Sequence, residues 1–144
     1  LPRTLPQSPE GDKVKPARNT RLKRKIVMSI ANIMVYGQKL PAVEESRPDA
    51  TKIIAGDPLQ RTWNYYESSD GKLYSGIWEA EPGTWRINYD EAEYCIILEG
   101  QSRLTDEHGA MLELKPGSAI FIPPGFKGTW EVVTRTRKHY VIYL

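Results

Sequence analysis

From residue 60 onward, apolar and polar positions alternate in short runs separated by turn-forming residues. The runs QRTWNYYE (60–67), KLYSGIWEA (72–80), GTWRINY (83–89) and AEYCIILE (92–99) each read as a β-strand. So do QSRLTD (101–106), AMLEL (110–114), SAIFI (118–122), GTWEVVTR (128–135) and RKHYVIY (137–143). Between them stand Ser69-Asp70-Gly71, Pro82-Gly83, Asp90-Glu91, Glu107-His108-Gly109, Lys115-Pro116-Gly117 and Pro123-Pro124-Gly125. Gly and Pro supply the backbone angles that tight reversals need. Many short strands without a long helical period predict an all-β sandwich or barrel. Upstream, SIANIMVYGQ reads equally as a strand or a short helix, and LPAVEESRPDATKIIAGDP reads as an extended connection. Residues 94–98 are apolar on both faces, so one face is expected to line the barrel and the other to meet a second layer or another subunit. A homodimer is therefore expected.

The chain has 144 residues, 40% hydrophobic and 26% charged, the size and composition of one globular domain. Its net charge of +2 conceals an asymmetry. Residues 1–27 hold eight basic and two acidic residues and four prolines, with few large apolar side chains. They read as an extended or disordered arm preceding a single domain at 28–144. RLKRK within the arm is either a solvated tail or a nucleic-acid or acidic-lipid contact; the acidic remainder of the chain argues against nucleic acid. Cys95 is the only cysteine, so no internal disulfide can form. It reads as a small core residue. No apolar run reaches the roughly 20 residues of a membrane helix, and no signal-peptide pattern is present. A cytoplasmic protein with no membrane partner is expected.

Two stretches carry a more specific signal. PGTWRINYDEAEYCIILEG places Gly100 seven positions after Glu93, and PGSAIFIPPGFKGTWEV spaces Gly117, Pro123 and Gly125. The pair resembles the two motifs of the cupin superfamily over about residues 60–144. Phe126, Gly128, Thr129, Trp130 and Lys138 further resemble the small cupins related to ureidoglycolate- and ethanolamine-utilisation proteins. The resemblance implies a double-stranded β-helix, a jelly-roll-like barrel, with its site in the lumen. In metal-binding cupins three histidines join the glutamate. The corresponding positions here are Arg86, Asn88 and Gly128. One carboxylate cannot supply the ligands a transition metal requires, and neither His108 nor His139 substitutes. No metal and no cofactor are expected.

What remains is a pocket for a small-molecule ligand. Glu93 shares a strand face with Cys95 and Ile97. On the motif spacing, Arg86 and Asn88 enter the same cavity from the neighbouring strand, and Gly128 leaves room for a ligand. Glu93, Arg86 and Lys138 are the candidate catalytic residues; Asn88, Trp130, Trp78 and Tyr74 are candidates for ligand binding. The acid would exchange protons and the cations would stabilise developing negative charge. A small polar amino-, ureido- or hydroxy-acid suits such walls. Each residue also has a plainer reading: Glu93 with Arg86 as a structural ion pair, Asn88 as a turn cap, Trp130 as core, Lys138 as a side chain reaching solvent. A non-catalytic sensor or carrier, or a purely structural dimeric barrel, fits the same residues.

Overall fold

A computed structural model describes residues 27–144. The chain divides into two units, Leu1–Asn32 and Ile33–Leu144. In the first, the described part is a single 3-10 turn at Ile30–Asn32, where the Asn32 side chain accepts from the Ser29 amide at 2.9 Å. The expected arm lies almost wholly outside the described residues.

The second unit is built from nine strands: β1 (Glu44–Ser46), β2 (Ile53–Gly56), β3 (Gln60–Glu67), β4 (Leu73–Ala80), β5 (Gly83–Asn88), β6 (Ala92–Asp106), β7 (Met111–Leu114), β8 (Ala119–Ile122) and β9 (Lys127–Tyr143). The all-β, jelly-roll-like expectation holds. Two details differ. The runs at 92–99 and 101–106 are one bent strand, and so are those at 128–135 and 137–143. The connection at 40–58 holds two short strands, β1 and β2, that its prolines had hidden. Among the described residues no helix is long and apolar enough to cross a membrane.

The long strands organise everything else. The first half of β9 lies between β5 and the second half of β6; its second half lies between β4 and the first half of β6. One sheet therefore runs β1-β3-β4-β9-β6-β8, and the other β2-β5-β9-β6-β7. The sheets curl over a common lumen because both long strands pass from one to the other. The bend falls where the β6–β9 register slips, between Ile97 and Ser102. Gly100 sits there at φ 83°, and a Cβ on it would overlap the Arg135 carbonyl oxygen. Only glycine allows both that backbone angle and that approach.

Inward-facing Trp85, Ile87, Cys95, Ile97, Leu104, Leu114, Ile122, Trp130, Val132 and Tyr140 form the buried core. Within it a polar chain ties β6 to β9. Trp130 Nε1–H donates to Ser102 Oγ at 3.2 Å, Ser102 and Thr136 hydroxyls meet at 2.7 Å, and Thr136 donates to the Thr134 carbonyl at 2.9 Å. This leaves no orphaned donor and fixes the Trp130 ring. On the convex side, Phe121, Tyr94 and Val141 align across β8, β6 and β9 and are exposed.

Gly76 in β4 shows how tightly the lumen is fitted. A Cβ there would overlap the Trp63 carbonyl oxygen and come within 2.7 Å of the Tyr140 hydroxyl. That hydroxyl donates to Asn64 Oδ1 at 2.8 Å, beside the bulge in β3 between Asn64 and Tyr66. Gly76→Ala should therefore cost roughly 2 kcal/mol or more, since backbone cannot yield as a side chain tip can. Urea denaturation of the two proteins measures this directly, and unchanged midpoints would refute the close fit.

Candidate functional site

Strand parity and register place three successive rows of side chains on the lumen face. Glu67, Tyr74, Ile142 and Glu93 form the first row, across β3, β4, β9 and β6. Asn64, Gly76, Tyr140 and Cys95 form the second. Glu44, Thr62, Trp78, Lys138 and Ile97 form the third, which begins on β1. β5 brings Trp85 and Ile87 from the other sheet, opposite Trp130 and Gly128. Together they enclose a cavity of about 490 Å³, which Tyr89, Glu91 and Gln60 also line.

At its floor Lys138 Nζ lies 2.6 Å from Glu93 Oε1, with both side chains about 95% buried. The ammonium also stands over two indole faces, 4.4 Å from the Trp130 ring centre and 4.6 Å from that of Trp78. Two neighbouring chemistries thus stabilise one buried cation: a charge-assisted hydrogen bond and the negative face of aromatic rings. Trp78 meets Trp130 edge-on at 5.7 Å, and Trp85 lies nearly parallel to Trp130 at 6.4 Å. Trp78 Nε1–H donates to Gln60 Oε1 at 3.2 Å, which holds that ring from the β3 side.

Tyr89, Tyr140 and Cys95, which surround the pair, stay neutral near pH 7. Burial, with the nearby Glu93 charge adding to it, holds the Tyr89 phenol well above the ordinary tyrosine range. Tyr140 is raised by burial first and then by the charges of Tyr36 and Glu93. Burial pushes the Cys95 thiol up to about 11, against a smaller lowering by Lys138. Cys95 is therefore no thiolate nucleophile near neutral pH.

Glu93, Lys138, Trp130, Trp78 and Tyr74 all line this cavity. Arg86 and Asn88 do not. Both are exposed on the opposite face of β5, where Arg86 joins Lys52 and Lys127 along a separate outer cleft. The expectation that they enter the lumen is corrected by register: Trp85 pairs with Trp130 and Ile87 with Gly128, so the intervening residues must face outward. The cation beside Glu93 is thus Lys138 and not Arg86. Gly128 has a different reason as well. A Cβ on it would overlap the Thr105 carbonyl, so the glycine admits β6 and not a ligand. Tyr89, Trp85, Glu44, Glu67 and Glu91 were not anticipated. The strict alternation Trp85-Arg86-Ile87-Asn88-Tyr89-Asp90 contained the signal for the first two.

These residues do not fit a cupin-type metal. Glu93 is already bonded to an ammonium, and the facing Trp85, Ile87 and Trp130 offer no ligand atom. Among the described residues no group of three or more His, Cys, Asp or Glu converges. His108 lies in an exposed turn and His139 on the outer face beside Tyr36.

Residues 67–140 match the EutQ-like cupin domain. The chain belongs to this cupin family. Among solved structures, a protein of unknown function from Pseudomonas syringae pv. tomato is 26% identical with a TM-score of 0.65, over 72% of this chain and 45% of its own length. The Clostridium difficile EutQ protein is 23% identical with a TM-score of 0.53, over 60% of this chain and 63% of its own. An ethanolamine utilization protein from Salmonella typhimurium is 17% identical with a TM-score of 0.54, over 71% of this chain and 97% of its own. The EutQ-like cupin described here thus spans less than two thirds of the first two. No match to its sequence was found among curated proteins.

The site generates two expectations. Lys138→Met alone should destabilise the EutQ-like cupin by about 3–5 kcal/mol, because it strands a buried carboxylate, whereas Glu93→Leu/Lys138→Met should recover most of the loss. Chemical denaturation of the two single variants and the double variant supplies the cycle; strictly additive losses would show that the pair is not coupled. The second concerns alkaline pH. Because the folded-state pKa of Cys95 lies above the unfolded value of 9.0, its contribution is fully present below pH 9 and is lost as pH rises toward about 11. Melting temperature should fall across that window, and Cys95→Ala should flatten part of the fall. An identical slope in both proteins would refute the assignment.

Proposed function

We propose that this EutQ-like cupin binds a small polar metabolite in the barrel lumen, with the Glu93–Lys138 pair as its proton-handling and charge-stabilising element. The observation that carries this reading is the buried pair at the floor of a cavity of about 490 Å³ lined by three tryptophans. A structural ion pair needs no adjoining space, whereas a ligand site does. In this reading Glu93 accepts a proton from a bound ligand. Lys138 then balances negative charge that develops on the ligand, in surroundings where water screens little. Gln60, Thr62 and Asn64 along β3 supply polar contacts for orientation. Lyase, isomerase or hydrolase chemistry on an amino-, ureido- or hydroxy-acid suits such a pair. The same pocket without turnover would be a sensor or carrier.

A metabolite panel screened by thermal shift tests the reading, since a ligand that binds only the folded protein raises its stability. At least one small polar compound should raise the melting temperature of the wild type, and substituting Trp85→Ala should abolish that rise. Glu93→Gln should retain binding and lose turnover by about 10²-fold or more if the glutamate is the proton acceptor. Retained turnover in Glu93→Gln would remove its catalytic role, and a panel without any stabilising compound would remove the binding role.

A further inference from the structure

The charges around the cavity are one-sided. Lys138 is the single cation lining it among the described residues, and its charge is already matched by Glu93. Three further carboxylates face the same space: Glu44 from β1, Glu67 from the end of β3, and Glu91 from the turn before β6. Glu44 and Glu67 are exposed and Glu91 is half-buried, so they mark the mouth, whereas Glu93 and Trp130 mark the floor. No arginine or lysine pairs with any of the three among the described ion pairs. Glu67 accepts only the Tyr74 hydroxyl, at 3.2 Å.

The walls beneath that rim are aromatic, and they already display the recognition involved. Trp78 and Trp130 hold an ammonium over their faces at 4.6 and 4.4 Å, and Trp85, Tyr74 and Tyr89 line the remaining space. A negative mouth above indole and phenol faces concentrates cations and repels anions. A ligand whose own charge is a carboxylate would meet like charges on entry.

Resting on the pocket reading above, we infer that the ligand carries a positively charged nitrogen, a protonated amine or quaternary ammonium, at the end nearest the mouth. Glu44, Glu67 and Glu91 supply its counter-charge, and the aromatic walls enclose its carbon atoms. An acceptor oxygen at the opposite end would then face Lys138. Among the candidate ligand classes, amino compounds are thereby favoured over simple hydroxy-acids.

Three probes of one shape separate charge from fit: choline, its neutral carbon isostere neohexanol, and the carboxylate tert-butylacetate. Binding is followed through the indole N–H resonances of the tryptophans in the full-length protein. Choline should shift the Trp78 and Trp85 signals, with neohexanol at least about tenfold weaker and tert-butylacetate inert. Added salt should weaken choline binding. Glu44→Gln/Glu67→Gln/Glu91→Gln should reduce choline affinity about tenfold or more while leaving neohexanol binding unchanged. The three positions are exposed or half-buried, and glutamine preserves the acceptor for Tyr74, so the variant should fold; an unchanged indole spectrum without ligand verifies this. If neohexanol or tert-butylacetate binds as tightly as choline, the charge inference fails and the pocket reading stands. If no probe moves the indole signals, both fail.

Discussion

One tethered cation governs this barrel. Bringing Lys138 out of water costs several kcal/mol, and the fold repays that only through contacts that must all be present together. Glu93 lies 2.6 Å away, and two indole faces lie within 5 Å. Each of those groups is held in turn. Trp130 is anchored through Ser102 and Thr136, and Trp78 through Gln60. Polar atoms deep in a protein are stabilising only when such chains are complete. The lumen therefore has little freedom: turning one ring would unmake a hydrogen bond and uncover a charge.

Strand length is what brings these groups into phase. Trp130 and Lys138 are both on β9, an even number of residues apart, and so share a face. Yet Trp130 pairs with β5 in one sheet and Lys138 with β4 in the other. A single continuous strand carries the ring and the ammonium around the curve of the barrel. The bend in the facing strand, at Gly100, lets β6 follow the same path and deliver Glu93 to the cation. The backbone geometry of one glycine and the side-chain chemistry of the floor are thus linked through two strands.

Much of this was legible before any coordinates, and the failures are specific. Period-two alternation puts Glu93, Cys95 and Ile97 on one face, and Lys138, Tyr140 and Ile142 on one face; that the first set lines the lumen follows from the cupin resemblance. In β5 motif spacing and strand alternation disagree, and alternation gives the observed faces. Counting histidine positions back from Glu93 selects Arg86 and Asn88, whereas the apolar residues of the same segment are Trp85, Ile87 and Tyr89. A one-residue choice of phase exchanges the two faces entirely. Glu44, Glu67 and Glu91 escaped for another reason. They lie on a short edge strand, a strand end and a turn, where neighbouring sequence does not encode direction and only long-range pairing places them at the mouth.

The partner of Glu93 distinguishes this lumen from one built on the histidine-bearing cupin motif. An inward carboxylate in a poorly solvated lumen needs a positive partner. Where histidines converge, that partner is an exchangeable ion with open coordination positions. Here it is a side chain of the same polypeptide, and the positions facing it are tryptophan and isoleucine. A tethered ammonium cannot leave, but it can donate hydrogen bonds. The aromatic residues that shelter it present indole faces, which attract cations. On the proposed reading, the walls that shelter the chain's own lysine also suit an ammonium from outside. The acidic rim then follows as the feature that would draw such a group in.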